Sequence, residues 1–136
     1  MKRMLVVVCL ITAGAIGSAQ EGTVVGDFTK SPTEHIINQI ETPFQVASVR
    51  GVIAREGGFE EPLGGVLFEI QGPGSDKRIR RCNTDERGQF RIPHVPAGTY
   101  KFKTTLSGFQ SVMGAIVISK KSEKINVIRI KLHVGV

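Results

Sequence analysis

The stretch of sequence that decides the fold is residues 84–100, TDERGQFRIPHVPAGTY. A polar turn at 85–88 leads into a short strand in which Phe90 and Ile92 share one side. A loop bounded by two prolines follows, and a second alternating strand then begins at Thr99. Short alternating strands joined by turns of this kind are typical of β-sandwiches and barrels.

The same period of two continues over the rest of the chain. It predicts seven short strands, at 46–54, 66–71, 78–84, 89–92, 99–106, 110–119 and 125–134. No helical period occurs among them, and turn signals recur at intervals of about ten residues. The sequence therefore predicts an all-β domain, a seven-stranded antiparallel Greek-key β-sandwich with one apolar and one polar face per strand.

The apolar faces of these strands define the expected core. It contains Val52, Val66, Phe68, Ile70, Cys82, Phe90, Ile92, Tyr100, Phe102, Ile116, Ile128, Ile130 and Leu132. We expect Asp85 to accept backbone N–H groups of its own turn and Gly88 to supply a positive φ before the strand. The hydroxyl of Tyr100 should find a hydrogen-bond partner at the end of the sandwich.

The N-terminal residues have the organisation of a signal peptide. Lys2 and Arg3 precede an apolar run at 5–16, and small residues at 17–19 offer a cleavage site. The run is shorter than the roughly 20 residues of a transmembrane helix, although an uncleaved anchor is the alternative. We expect residues 1–19 to be removed on export to the periplasm or outside the cell, leaving no integral membrane segment.

Cleavage changes the charge and the cysteine count. The net charge falls from +6 to +4, and Cys82 remains as the only cysteine. A single cysteine excludes an internal disulfide, so the core must hold the domain together. Two roles stay open for this thiol, pairing between chains and burial as a small hydrophobic side chain.

The residues after the cleavage site carry no strand period. Residues 20–45 are expected to form a polar linker. A short helix at 32–41 is one option within it, because Ser31 and Pro32 make a good helix start and Glu34 can reach back to the cap. A helix of this length is marginal alone, so it would either dock on the domain or fray. The β-sandwich domain is then expected to span 46–136.

The order of these elements resembles the carboxypeptidase regulatory-like domain, a prealbumin-like (transthyretin-type) β-sandwich family. The matching pieces are VRGVI at 49–53, PLGGV at 62–66, TDE with the following glycine and phenylalanine at 84–90, VPAGTY at 95–100 and GF at 108–109. The resemblance covers roughly 47–133. It implies a module that is appended to peptidases, outer-membrane receptors or cell-surface proteins, or is secreted alone, with a fold similar to carbohydrate-binding sandwiches. It implies no particular ligand.

The residue types disfavour catalysis. The three histidines are isolated, so no zinc-peptidase spacing is present, and the GxSxG motif of serine hydrolases is absent. A Cys82–His94 dyad would place its nucleophile within a strand, with no oxyanion loop beside it. Asn83, Asp85 and Glu86 could approach a calcium ion, but such sites usually need more oxygen ligands. The sequence therefore predicts a protein that is not an enzyme and holds no cofactor or metal.

Basic residues cluster between positions 77 and 103. They are Lys77, Arg78, Arg80, Arg81, Arg87, Arg91, Lys101 and Lys103. Such a cluster is either a solvated face that discourages edge-to-edge pairing or a patch for an anionic polymer or a partner. Nucleic acid is excluded as a partner, because the protein is expected to be exported and lacks interleaved aromatic residues for base stacking.

Two functions follow from these observations. The first is an exported, non-catalytic module for protein–protein interaction or a structural role at the cell envelope. The alternative is a module that binds carbohydrate or an anionic envelope polymer. The chain has no Trp, and its single Tyr is expected in the core, which disfavours the stacking of sugars on aromatic rings. We therefore expect the first function.

Overall fold

The computed structural model describes residues 22–25, 27–32, 34–57, 59–73, 78–121 and 127–135. Over these residues the chain is all-β, with ten strands and no helix. No stretch of the described chain forms a helix that could cross a membrane. The expected signal peptide at 1–19 and Lys77 of the basic cluster lie outside the described residues.

Seven of the ten strands correspond to the predicted ones. The strands are β1 (Gly22–Val25), β2 (Ile37–Gln39), β3 (Phe44–Val46), β4 (Val49–Arg55), β5 (Leu67–Gln71), β6 (Arg78–Asn83), β7 (Gln89–Ile92), β8 (Gly98–Thr105), β9 (Ser111–Ile118) and β10 (Ile128–Leu132). Strands β4 to β10 lie where the alternation predicts strands, with shifted ends. Strands β1 to β3 precede or begin the expected domain and were not predicted separately.

The strands form two sheets. The large sheet has the order β1-β6-β5-β8-β9-β2, with β3 also paired to β9, and the small sheet has the order β10-β4-β7. Strands β2 and β3 run parallel to β9, and β10 runs parallel to β4. The prediction of an entirely antiparallel sandwich is therefore wrong, because a period of two reveals strands but not their directions. The Greek-key connection stays a prediction.

The two sheets share one apolar core, as in a β-sandwich. The ring of Phe68 on β5 stacks on Phe90 of β7 at 4.1 Å between centroids and on Phe102 of β8 at 5.6 Å. Since Phe90 belongs to the small sheet and the other two rings to the large sheet, these contacts join the inner faces of both. All expected core residues except Val52 are buried.

Val52 is a correction, since it is only half-buried and Gly51 and Ile53 face the core instead. A Cβ atom at Gly51 would lie 2.8 Å from the ring of Phe90 and 2.1 Å from the carbonyl oxygen of Ile128. The inward position must therefore be a glycine. An alternation of apolar side chains cannot reveal an inward glycine, and it assigns the strand to the wrong face.

The helix expected at 32–41 does not form, and β2 occupies part of this segment. Ile37 pairs with Ser111 of β9, and the backbone N–H of Ile40 donates to the carbonyl of Met113 at 2.8 Å. A helix of this length is marginal alone, so pairing with the edge of the large sheet is preferred. Together with β1 on β6, this places the described part of 20–45 on the sheet, whereas a polar linker was expected.

The turns around the deciding stretch have the expected form. Carboxylate oxygen Oδ1 of Asp85 accepts from the backbone N–H groups of Arg87 and Gln89, both at 2.9 Å. Gly88 has a φ of 75°. The hydroxyl of Tyr100 donates to the carbonyl of Pro96 at 2.8 Å, which fixes the end of β8 against the preceding loop.

Candidate functional site

The basic residues expected to form one patch are divided among several places. Lys103 is a correction, because it is buried with 3% of its surface exposed. Its ammonium group lies 2.7 Å from a carboxylate oxygen of Glu34 and donates to the carbonyl of Thr29 at 2.7 Å. Arg81 pairs with the fully buried Glu69 at 3.8 Å. Lys103 is therefore buried, and the half-buried Arg81 is engaged in an ion pair, so the two do not form a shared surface.

The burial of Lys103 has a physical cause in the chain before β2. Residues 27–32 and 34–36, here called the strap, lie across the outer face of the large sheet. Thr29 contacts side chains of β5 and β8, and Glu34 contacts side chains of β8 and β9. Alternation correctly predicts that Lys103 leaves the core. It does not predict that the strap covers this face.

Arg78 and Arg80 lie at one end of the sandwich. Together with Tyr100 they line a small cavity of about 150 Å³. The guanidinium group of Arg80 donates to the carbonyl of His94 at 3.0 Å. Burial raises the pKa of the Tyr100 hydroxyl, and the charge of Arg80 partly opposes this rise. Arg80 therefore anchors the loop that contains His94 and places a positive charge near the Tyr100 hydroxyl.

The remaining members of the expected patch are also separated. Arg87 is exposed in the turn between β6 and β7, and Lys101 is exposed on β8 of the large sheet. Arg91 is exposed on β7, at the outer face of the small sheet. Of the described members, Arg91 is the one that belongs to a larger basic group elsewhere in the fold.

That group consists of three arginines from three neighbouring strands. Arg91 lies directly opposite Arg50 of β4 in the antiparallel register. Arg129 of β10 lies opposite Val52, which follows Arg50 by two positions and therefore shares its face. The outer face of the small sheet thus brings together Arg50, Arg91 and Arg129, of which only Arg91 was predicted.

These three side chains line an open pocket of about 520 Å³, here called the arginine pocket. Its volume lies within the range of about 300–1,000 Å³ that is usual for ligand sites. Polar groups of Asn83, Asp85 and Gln89 line another part of the wall, and Val52 and Val127 add apolar surface. The pocket therefore combines three cations, one carboxylate, two side-chain amides and apolar surface.

The electrostatics of the arginine pocket are unfavourable in the protein alone. Like charges directly opposite each other across two strands destabilise a sheet, which applies to Arg50 and Arg91. Among the described residues, no acidic side chain forms an ion pair with either of them or with Arg129. Asp85 also lines the pocket and adds one negative charge, so these three arginines leave an excess of two positive charges over it. Its Oδ1 accepts two backbone N–H groups of its own turn.

An anion would relieve this repulsion. A guanidinium group presents a planar fork of donors that matches the oxygens of a carboxylate or a phosphate, often through two parallel hydrogen bonds. No group of His, Cys, Asp and Glu side chains suited to a metal ion occurs in the described parts of the chain. The chemistry that the three guanidinium groups offer is the binding of an anionic group.

Sequence reasoning missed Arg50 and Arg129 for a definable reason. Alternation places Arg129 on the polar face of β10. The incorrect inward assignment of Val52 places Arg50, two positions earlier, on the wrong face of β4. Only the parallel pairing of β10 with β4 brings Arg129 beside Arg50, and that pairing joins residues far apart in the chain. A sequence signal for it would require knowledge of the strand order.

Comparison with known proteins yields little similarity. No protein-family model matches the chain, and no curated protein matches it. Among solved structures, the chain is similar to 3-chlorocatechol 1,2-dioxygenase from Rhodococcus opacus 1CP, with a TM-score of 0.39 and 13% sequence identity. The match covers 81% of this chain and 61% of the dioxygenase chain, so this chain spans less than two thirds of that protein.

This comparison corrects one prediction. The prediction that the chain is not an enzyme is contradicted, because the matched structure is that of an enzyme. At 13% identity and a TM-score of 0.39, the likeness equally does not establish an enzymatic activity for this chain.

Proposed function

We propose that the protein is an exported β-sandwich module of the cell envelope that binds an anionic envelope polymer through the arginine pocket. The observation that carries the proposal is the facing pair Arg50 and Arg91, with which no described acid forms an ion pair. Arg129 adds a third positive charge to the same pocket. Residues that break a local rule of stability without compensation are typical of functional sites.

The location and the class of module come from the sequence. The signal-peptide pattern at 1–19 supports export. The resemblance to the carboxypeptidase regulatory-like domain supports a prealbumin-like sandwich with Greek-key connections that works as an appended or secreted module. A polymer suits an open pocket, because the chain can continue out of the pocket on either side and any of its repeated anionic units can occupy it.

Docking of a partner protein is the second candidate function. Phe59 is 91% exposed in the turn between β4 and β5. The residues after it are held by ion pairs, with Glu60 on Lys131 and Glu61 on Arg55. An exposed aromatic side chain on an anchored loop is a typical contact for a protein partner.

Salt-dependent binding tests the polymer proposal. The full-length protein is applied to immobilised anionic polymers (polygalacturonate, dextran sulfate and polyphosphate) at 0.1 M and 1 M salt. We expect retention at low salt and release at high salt, because the screening length falls from about 10 Å to about 3 Å. The variant with Arg50→Ser, Arg91→Ser and Arg129→Ser should have at least about tenfold lower affinity for the polymers at 0.1 M salt.

A matched control separates the pocket from net charge. The variant with Lys101→Ser, Lys120→Ser and Lys121→Ser removes the same number of positive charges from exposed positions outside the pocket. It should bind nearly as well as wild type. Equal losses in the two triple variants would show that only net charge matters. If wild-type protein binds none of the polymers at 0.1 M salt, the polymer proposal fails and docking through Phe59 becomes the function to pursue.

A further inference from the structure

We infer that the unit recognised in the arginine pocket is a carboxylated sugar, such as a uronic acid residue within a polysaccharide. This inference rests on the proposed function and adds the chemical class of the ligand. It depends on three parts of the pocket wall: the facing arginines, the two side-chain amides, and the apolar surface between strands.

The facing arginines suit a carboxylate. Directly opposite residues of an antiparallel pair have Cβ atoms about 4.5–5.5 Å apart, so the side chains of Arg50 and Arg91 extend from neighbouring points. One planar carboxylate can then accept from both guanidinium groups. Arg129, on the other side of β4, supplies a third donor fork at the same pocket.

The amides suit hydroxyl groups. Asn83 and Gln89 line the pocket, and among the described residues neither side-chain amide has a hydrogen-bond partner. An amide both donates and accepts, which matches a sugar hydroxyl that does the same. A phosphate at neutral pH chiefly accepts, so the amide oxygens would gain nothing from it. Charge alone therefore does not account for this part of the wall.

The apolar surface suits the C–H face of a sugar ring. Val52 and Val127 line the pocket and are each half-buried, so they offer apolar area beside the arginines. Covering apolar area removes it from water, which favours a complex. A sugar ring has carbon atoms that can cover it, whereas a phosphate chain has none.

Isothermal titration of the full-length protein tests the inference. The probes are a galacturonate oligomer, its fully methyl-esterified form, and polyphosphate of similar chain length, all at 0.1 M salt. We expect the galacturonate oligomer to bind most tightly and the ester to bind at least about tenfold more weakly, because the ester has no carboxylate for the arginines.

Variants of the amides separate sugar recognition from charge. Asn83→Ala combined with Gln89→Ala should lower the affinity for the galacturonate oligomer about tenfold, since the hydrogen bonds of both amides to sugar hydroxyl groups are lost. The affinity for polyphosphate should not change. The matched control is Gln39→Ala combined with Gln45→Ala, at two exposed amides of β2 and β3, and should bind both probes as wild type does.

The outcomes distinguish this inference from the proposed function. If galacturonate and polyphosphate bind equally and the amide variants lose nothing, sugar recognition is overturned while polymer binding stands. If the methyl ester binds as tightly as the acid, the role of the carboxylate is overturned. If no probe binds and the polymer columns also fail to retain the protein, both proposals fall. A melting temperature close to wild type in each variant shows that the folded protein was tested.

Discussion

The outer faces of the two sheets carry rows of charged residues with opposite character. On the large sheet, Arg81, Glu69 and Lys103 lie directly opposite one another on β6, β5 and β8, so the signs alternate across the row. On the small sheet, Arg91 and Arg50 lie directly opposite on β7 and β4, and the signs are equal. With the same cross-strand geometry, the facing charges attract each other on the large sheet and repel each other on the small sheet.

Residues of the strap supply the remaining hydrogen-bond and ion-pair partners of the row on the large sheet. The backbone N–H and the hydroxyl of Thr29 donate to the two carboxylate oxygens of Glu69, each at 2.9 Å. The hydroxyl of Ser111 donates to Glu34 at 2.9 Å, beside the contact of Glu34 with Lys103. Every charge in this row has a partner, so the row fixes where the strap lies.

The difference between the two rows shows that the role of a charged residue in a strand depends on its cross-strand neighbours. A charge that is paired and buried holds two parts of the chain together. A charge that faces its like and forms no ion pair with a described acid is a candidate for binding an anion. Proximity in sequence does not separate the two cases, since Arg81 and Arg91 are only ten positions apart.

Removing a charge from the row on the large sheet should produce the largest loss in the free energy of unfolding. Lys103→Ala leaves Glu34 and the carbonyl of Thr29 buried without their cation. Removing one partner of a buried ion pair typically costs about 3–5 kcal/mol. We expect a loss of this size in the free energy of unfolding, measured by urea denaturation.

The control for this prediction lies on the same strand. Lys101→Ala removes the same side chain from an exposed position two residues earlier. Its effect should stay within about 0.5 kcal/mol, as is usual for surface substitutions. Equal effects of Lys101→Ala and Lys103→Ala would contradict the structural role of the row.

Acid should weaken the same contact by a smaller amount. Burial disfavours the charged form of Glu34, but hydrogen bonds from Lys103 and Ser111 and the charge of Lys103 outweigh it, so the pKa lies below its ordinary value of 4.5. A lowered folded-state pKa stabilises the fold above the unfolded-state pKa, and this contribution is lost as the pH falls through the folded-state value. The melting temperature should therefore decline from about pH 5 downward.

Glu34→Gln isolates this contribution. The variant should melt below wild type at pH 7, and the difference should shrink as the pH is lowered, because wild type then loses the same charge. Glu41→Gln, at an exposed position outside the row, should follow the wild-type curve. A constant difference between Glu34→Gln and wild type from pH 7 to pH 2 would show that the ionised carboxylate does not stabilise the strap.

Much of the fold follows from local patterns in the sequence. Strands β4 to β10, the Asp85 turn and the Tyr100 hydrogen bond depend on alternation and turn residues, and the sequence predicts all of them. The segment 32–41 does not follow, because its capping residues favour a helix locally while the edge of β9 offers pairing that no local pattern shows. The parallel direction of β10 is missed for the same reason.

The candidate site is less predictable than the fold. The sequence finds Arg91 as part of a basic cluster, but Lys103 of that cluster is buried by the strap and Arg50 and Arg129 lie outside the cluster. Each of these outcomes depends on contacts between distant parts of the chain. A cluster of basic residues in the sequence predicts a shared charged surface only where its residues belong to one secondary-structure element and no other segment covers that element.

The smallest expected change in the free energy of unfolding comes from a substitution on the small sheet, and this substitution should stabilise the protein. Arg91→Gln removes one of two facing positive charges, so the free energy of unfolding should rise by about 0.2–1 kcal/mol at low salt. The gain should vanish at 1 M salt, where the screening length is about 3 Å. Arg87→Gln, an exposed cation of the nearby turn, should change stability less.

Bound ligand should reverse the order of stability of wild type and Arg91→Gln. A polymer that binds the folded state raises its stability by mass action, and a saturating galacturonate oligomer should therefore raise the melting temperature of wild type above that of Arg91→Gln. If Arg91→Gln instead destabilises the protein at low salt without ligand, Arg91 has a structural partner after all. The two outer faces would then follow one rule, in which every charge on a sheet face is balanced within the fold.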